Sequence, residues 1–264
     1  MLIHVIADYG PGDLALAEVA QRIKLCMPDA EPLYTPVPAF ATLAAGFCVA
    51  QLGLNPAPPN TLIYHNVAPR KDEEEARANN EGERLAFARL PNGVRVVGVN
   101  AGYAFSFMRD DVEELRWASV PAGGSQFRSR DLFPKAAGDI VAGVSGALAN
   151  EIDPSKIPYV PKDRIVYVDG YGNLKTTTQQ DALAASSGAR LRVRIGGTER
   201  EAILGDGTFE VEEGALAFAP GSSGWPGADG KAVRWRELFL RGGSAWEVFG
   251  RPDIGARLEF ATDP

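Results

Sequence analysis

Apolar and polar positions follow two rhythms along the chain, and the change between them divides it. In the first part, short apolar runs alternate with stretches at helical spacing. Leu2 to Ala7 reads as a buried strand, and after a turn Leu16, Val19, Ala20 and Ile23 recur at the period of an amphipathic helix that stops at Pro28. Glu31 to Thr35 reads as a second strand, Ala39 to Leu52 as a helix apolar on most sides, and Thr61 to Asn66 as a third strand. Leu85 to Leu90 and Val94 to Val99 flank Pro91-Asn92-Gly93. Asn-Gly accepts the positive φ of a tight hairpin, so the sheet is expected to be mixed rather than purely parallel. Trp117 to Val120 adds a strand. An Ala/Gly-rich helix is predicted from Pro134 to Ala149, with proline where a first helical turn tolerates it.

Between Glu151 and Lys162 the prolines Pro154, Pro158 and Pro161 interrupt the pattern, and residues 153–162 read as an interdomain linker. Beyond it short strands alternate with glycine-containing turns: Arg164 to Val168, Leu174 to Thr178, Leu191 to Ile195, Arg200 to Ile203, Thr208 to Val211, Ala215 to Ala219, Glu237 to Leu240 and Arg257 to Phe260. Only a turn at Gln180 to Ala185 breaks the series. The pattern predicts an α/β + β chain: an amino-terminal α/β domain over residues 1–152 with a mixed central sheet, and over 163–264 a small all-β barrel or sandwich.

Composition narrows the partners. With 45% apolar and 23% charged residues, the 264-residue chain is ordinary for a soluble globular protein and long enough for a sizeable core in each half. A net charge of −7, with no basic stripe, argues against a nucleic acid or an anionic membrane as partner. The acidic and basic run from Arg70 to Arg84 is too charged to enter a core and reads as a solvated loop or a short exposed helix. Two cysteines, Cys26 and Cys48, do not make a disulfide framework, and their use suits a reducing cytoplasm. Two histidines, His4 and His65, make an imidazole metal site unexpected. Met1 leads directly into a strand the fold requires, so no signal peptide is expected, and the apolar run 39–52 is too short to span a bilayer.

Candidate chemistry starts at the end of the first strand, where Asp8 and Asp13 bracket Gly10-Pro11-Gly12. In open α/β sheets ligands bind at the carboxyl ends of strands, where a helix start offers free N–H groups. The same aspartates also suit helix capping, and the glycine pair alone is a weak phosphate loop. His65, near the end of the third strand, is a candidate base or a structural residue. Arg128 and Arg130 flank Ser129 and read either as an anion pocket or as partners of the acidic loop. No local base partners Ser129, so a hydrolase triad is not indicated. Asp169, Tyr171, Gly172 and Asn173 form a hairpin signature.

Read in order, these stretches resemble the S-adenosyl-L-methionine hydroxide adenosyltransferases, a family that also contains fluorinating and chlorinating enzymes. Asp8-Tyr9-Gly10-Pro11-Gly12-Asp13 is similar to the family's D-F-G-x-x-D, and Pro28-Asp29-Ala30 falls on its P-x-A. TLIYHNVAP, residues 61–69, lines up on T-I-H-L-A-V-V-D-P. Val97 to Gly102 falls on the family's V-x-P-D-N-G, and Phe127 to Phe133 resembles its F-H-G-R-D-I-F. Asp169 to Leu174 is similar to D-x-F-G-N-L, and LFLRGGSA, residues 238–245, to I-A-V-R-N-G-S-A. The resemblance implies an α/β domain followed by a β-barrel, and a homotrimer whose sites lie between the first domain of one subunit and the second of its neighbour. It implies that Asp8 holds the two ribose hydroxyls, that Asp13 and Asp169 meet the methionine ammonium, and that Ser222 binds the amino-acid end. Asn173 and the backbone near Arg241 to Gly243 would read adenine, with Tyr171 offering an aromatic face. No cofactor is implied; S-adenosyl-L-methionine is the substrate or ligand.

The departures bear on the chemistry. In the hydrolytic members an Asp, an Arg and a His act on the water that displaces methionine from the ribose C5′. Here the Asp position is Ala68, the His position is Arg128, and the Arg position is Glu75 unless a small gap brings in Arg77. Alanine accepts no proton, and an arginine in a protein stays protonated. D-N-G becomes Asn100-Ala101-Gly102, and Trp225 is followed by the extra run PGADGKAVRW. F-R-S-R around Ser129 is similar to the fluorinating branch, whose serine helps bind halide, yet that branch's tyrosine is missing at Ala68. The expected function is an S-adenosyl-L-methionine hydrolase-like protein in which Arg128, Ser129 and His65 are the catalytic candidates. The alternatives are a nucleoside-binding protein without chemistry and a halide-using adenosyltransferase.

Overall fold

The computed structural model describes residues 1–69, 82–121, 125–183, 186–227 and 230–262. Most of the charged run, with the positions of Glu75 and Arg77, and part of the turn expected at 180–185 lie outside these residues. The chain divides into two compact units, Met1–Tyr159 and Val160–Pro264. Among the described residues no helix is long and apolar enough to cross a membrane.

The first unit is a mixed seven-stranded sheet with helices on both faces. Its strands are β1 (Leu2–Ala7), β2 (Glu31–Pro36), β3 (Leu62–Asn66), β4 (Leu85–Arg89), β5 (Arg95–Val99), β6 (Glu114–Ala118) and β7 (Leu148–Glu151), in the order β2-β1-β3-β5-β4-β6-β7. β2, β1, β3 and β5 run parallel, and β4 turns back against β5 through the Asn-Gly hairpin. Alternation sorts the two faces. Ile3, Val5, Leu62, Tyr64 and Val97 form one, which packs with Val19 and Ile23 of helix α1 (Leu14–Cys26) and with Ala137 and Ile140 of helix α4 (Phe133–Val141). A short helix α3 (Arg128–Asp131) leads into α4. The opposite face carries helix α2 (Thr42–Gly53), buried along nearly its whole length, as its lack of a polar side predicts. Gly46 and Gly53 let α2 come close: a Cβ at Gly53 would sit 2.7 Å from Leu90 Cδ1, and one at Gly46 would overlap the Tyr103 carbonyl.

Two expectations for this unit need correction. The helix predicted over 134–149 ends at Val141, because Gly143 and Gly146 adopt φ of +68° and +80°, and the remainder becomes β7. The strand expected at Trp117–Val120 begins earlier, at Glu114, where pairing with Arg89 of β4 sets its register. The division between units, at Tyr159 and Val160, falls inside the expected linker 153–162. Residues as far as Tyr159 are held on the first unit: the Arg109 guanidinium donates to the Ile157 carbonyl at 2.6 Å and lies 3.7 Å over the Tyr159 ring.

The second unit is a mixed seven-stranded sheet of β8 (Ile165–Val168), β9 (Leu174–Gln179), β10 (Arg190–Ile195), β11 (Thr198–Leu204), β12 (Leu216–Pro226), β13 (Ala232–Leu240) and β14 (Leu258–Thr262), in the order β14-β10-β11-β12-β13-β9-β8. Backbone hydrogen bonds from Ile165 N–H to the Ala256 carbonyl and from Leu258 N–H to the Asp163 carbonyl join the β8 end of the sheet to the β14 end. Its core is built from Ile165, Leu174, Leu191, Val193, Phe218 and Leu238, beside the short helix α5 (Ala245–Val248). Thr208 to Val211 is not the expected strand. A single 3-10 turn covers Thr208–Glu210, closed by the Glu210 carboxylate accepting from Asp206 N–H at 2.8 Å. β12 and β13 are longer than predicted and are interrupted by a bulge between Pro220 and Gly224.

Candidate functional site

In the first unit, β1 has β2 on one side and β3 on the other, so the chain order reverses at β1. Its carboxyl end is therefore the switch point at which α/β sheets form a crevice. Asp8 leaves β1 there, half-buried, and its Oδ2 accepts from Phe40 N–H at 2.9 Å. Among the described residues Oδ1 has no hydrogen-bond partner. Phe40 holds a φ of 63°, a region aromatic residues seldom occupy, and its ring is exposed. Asp13 caps α1, its Oδ1 accepting from Ala15 N–H at 2.9 Å, so the capping role weighed from the sequence is real.

Behind Asp8 lies a polar cluster. The Tyr9 hydroxyl is 2.6 Å from Ser129 Oγ and accepts from Asn66 Nδ2 at 3.1 Å, while the Tyr64 hydroxyl donates to the Ser129 carbonyl at 2.5 Å. The Tyr34 hydroxyl donates to the Tyr9 carbonyl. Burial pushes the Tyr9 phenol up to about 12, against its hydrogen bonds to Ser129 and Asn66. Burial, and then the charges of Asp8 and Asp13, push Tyr34 to about 12 as well. Both phenols are therefore neutral hydrogen-bonding groups near neutral pH. Ser129 is buried and already engaged with Tyr9.

The remaining first-unit candidates separate. Arg130 pairs with Glu18 at 3.0 Å and Asp131 at 2.7 Å, so it does not join Arg128 in an anion pocket around Ser129. Arg128 instead lines an open cavity of about 680 Å³ with Arg84, Ser119 and Val120. His65 is fully buried on the α2 face, its ring 5.3 Å from Phe105 and so close to Gly98 that a Cβ there would overlap it. Among the described residues neither ring nitrogen has a hydrogen-bond partner, and burial lowers its pKa to about 3. An inaccessible imidazole is not a substitute base, and this corrects the catalytic expectation for His65.

In the second unit the Asp169 hairpin is self-contained. Asp169 Oδ1 accepts from the N–H groups of Tyr171 at 2.9 Å and Asn173 at 3.1 Å, and Oδ2 accepts from Asn173 Nδ2 at 3.0 Å. The tip leaves the Tyr171 ring 83% exposed, an aromatic face open to a planar group. Gly172, at φ +79°, lies against Ser244, and Trp246 N–H donates to its carbonyl at 2.9 Å. The hairpin is thus brought to the loop after β13 that carries Arg241 and Gly243. The Arg241 side chain is occupied by the Val211 carbonyl at 2.7 Å. Ser222 stands exposed on the bulge of β12, its Oγ accepting from Lys175 Nζ at 3.0 Å. Among the described residues no group of three His, Cys, Asp or Glu side chains is placed to hold a metal ion.

Sequence reasoning missed Phe40, Asn66, Lys175 and Glu237. Only Lys175 and Glu237 left a signal, as charged residues inside strands that otherwise read as buried. No protein-family profile and no curated protein matches the chain. Among solved structures, an uncharacterized conserved protein from Thermotoga maritima is similar with a TM-score of 0.73 at 20% identity, over 98% of this chain and 100% of that one. A conserved hypothetical protein from Thermus thermophilus is similar with a TM-score of 0.65 at 21% identity, over 98% of this chain and 99% of that one. These likenesses concern the fold.

Proposed function

We propose that the chain binds S-adenosyl-L-methionine, or a closely related adenosyl compound, and promotes substitution at the ribose C5′ that releases methionine, as an S-adenosyl-L-methionine hydrolase-like protein. The observation that carries this reading is the Asp8 carboxylate at the switch point, fixed through one oxygen by Phe40 N–H and open at the other. A carboxylate so held accepts from two adjacent hydroxyls, as a ribose requires. In this reading Asp13 and Asp169 meet the ammonium, Ser222 the amino-acid end, and Asn173, Tyr171 and the Arg241–Gly243 loop the adenine. The second unit is a small all-β barrel, and the protein is a cytoplasmic homotrimer whose sites each combine the first unit of one copy with the second unit of another.

The reaction needs little from a base. Water attacks C5′, the C–S bond breaks with its electron pair leaving on sulfur as the neutral thioether of methionine, and the water proton passes to solvent. Because the sulfonium is a good leaving group, alignment and exclusion of bulk water carry the rate, with Arg128 orienting an incoming anion or water. The halide-using alternative relies on Ser129, whose hydroxyl is shared with Tyr9. A second reading, an adenosyl-binding protein without turnover, is favoured by the burial of His65, which leaves Ala68 and Arg128 with no accessible imidazole beside them.

Incubation with S-adenosyl-L-methionine, followed by chromatography of adenosine and methionine, separates the two. Equimolar products, lost in Asp8→Ala and reduced in Arg128→Ala, identify an enzyme in which Arg128 orients the nucleophile; turnover unchanged in Arg128→Ala removes that role and leaves the rest of the reading. Saturable binding without products leaves the binding protein.

A further inference from the structure

The cavity that Arg128 lines lies away from the Asp8 crevice, three strands along the same sheet, or about 14 Å at the usual strand spacing. β4 runs against β5 and β6 against β4, so the start of β4 and the end of β6 share an edge with the carboxyl ends of β1, β3 and β5. That is the edge at which α/β sheets take ligands. Leu85, Val120 and Pro121 give the cavity an apolar wall, and Arg84, Ser119 and Arg128 are its polar side chains. At about 680 Å³ it has the size and make-up of a small-molecule pocket.

Both cations are held in place. The Arg84 guanidinium lies 3.9 Å over the Trp117 ring of β6, and among the described residues it makes no ion pair and no hydrogen bond. Arg128 enters from the start of α3, and its Nη2 donates to the Pro121 carbonyl at 3.4 Å. None of the described residues lining the cavity is acidic, in a chain whose net charge is −7. Two guanidiniums on one cavity repel each other, whereas an anion between them makes charge-assisted hydrogen bonds to both. A single fork satisfies a carboxylate, which carries one charge. A phosphomonoester near neutral pH carries close to two and offers three acceptor oxygens, which two forks and a hydroxyl match. We propose that this cavity binds a small phosphomonoester, its phosphate held by Arg84, Arg128 and Ser119 and its carbon part set against Leu85 and Val120. The inference goes beyond the adenosyl reading and shares only Arg128 with it.

Calorimetric titration of the full-length protein with phenyl phosphate, inorganic phosphate and benzoate tests this. Phenyl phosphate is expected to bind most tightly, since inorganic phosphate forgoes the apolar wall and benzoate the second charge. Arg84→Gln and Arg128→Gln should each weaken it about tenfold or more, as loss of a charge-assisted hydrogen bond predicts. Arg84→Lys keeps the charge without the planar fork and should fall between Arg84→Gln and wild type. Arg84 is exposed, so these changes leave the core intact, which an unchanged thermal midpoint verifies. Arg89→Gln alters an exposed arginine of β4 that pairs with Glu113 and Glu114 outside the cavity, and should bind phenyl phosphate as wild type does. No binding of phenyl phosphate, benzoate or inorganic phosphate binding as tightly as the ester, or affinity unmoved by both Arg84→Gln and Arg128→Gln overturns the inference. Adenosine binding in the same samples leaves the adenosyl reading standing whichever result is found.

Discussion

His65 gives the most quantitative prediction. Its imidazole is fully buried between Phe105 and Gly98, with neither nitrogen hydrogen-bonded among the described residues, and burial holds its pKa near 3 against 6.5 for the exposed group. Above pH 6.5 the ring is neutral folded or unfolded, and pH has no effect through it. Below that value the unfolded chain takes up a proton that the native state refuses. Stability therefore falls by about 1.4 kcal/mol per pH unit until the folded pKa is reached. Going from about pH 7.5 to about pH 5 crosses roughly 1.5 units of this window, a loss of about 2 kcal/mol. His65→Leu removes the titration and keeps an apolar group of similar size, so it should retain about that 2 kcal/mol at the lower pH while matching or exceeding wild type at the higher one, where two unmade hydrogen bonds vanish. Urea unfolding of both proteins at the two pH values gives the comparison. His4, also lowered by burial, and the carboxylates are common to both and cancel. Equal losses in the two proteins, or a His65 proton resonance titrating near neutrality in the native state, would refute this account of the core.

Other substitutions probe the site and its supports. Asp13→Asn keeps a helix cap of similar strength but removes the charge, so its thermal midpoint should match wild type while S-adenosyl-L-methionine binds more weakly; Asp13→Ala should lower stability by about 1 kcal/mol as well. If Asp13→Asn binds as wild type does, Asp13 is only a cap. Gly98→Ala forces a methyl into the His65 ring and should destabilise by roughly 1–3 kcal/mol in urea, with partial recovery in Gly98→Ala/His65→Ala. Gly172→Ala strains a φ of +79° and meets Ser244, so it should lower the thermal midpoint and weaken adenine binding together.

Much of the fold is legible in the sequence because local signals and tertiary needs agree. β1 and β3 alternate or run apolar where the sheet buries them, and Asn92-Gly93 makes the hairpin its backbone preference demands. Failures arise where a local signal was overruled. Alanine-rich residues 142–149 read as helix, but glycines at positive φ turned them into a loop and β7. Thr208 to Val211 carries strand-forming residues yet closes as a turn on the Glu210 carboxylate, which accepts from Asp206 N–H. The candidate site follows the same division. Asp8 and Asp13 stand where a strand–turn–helix reading puts them, whereas the burial of His65 and Ser129 depends on partners far away in the chain, Phe105 and Tyr9. Phe40 left no trace, since neither its φ nor its hydrogen bond to Asp8 follows from its neighbours.

Everything proposed for function turns on whether Asp8 holds a ribose. Titration of the protein with adenosine and with 2′-deoxyadenosine, repeated on Asp8→Ala, addresses this without requiring turnover. Saturable binding of adenosine, weakened about tenfold or more by loss of the 2′-hydroxyl in wild type and indifferent to it in Asp8→Ala, is the predicted result. Equal affinity for the two nucleosides in wild type, or no binding of either, would contradict it.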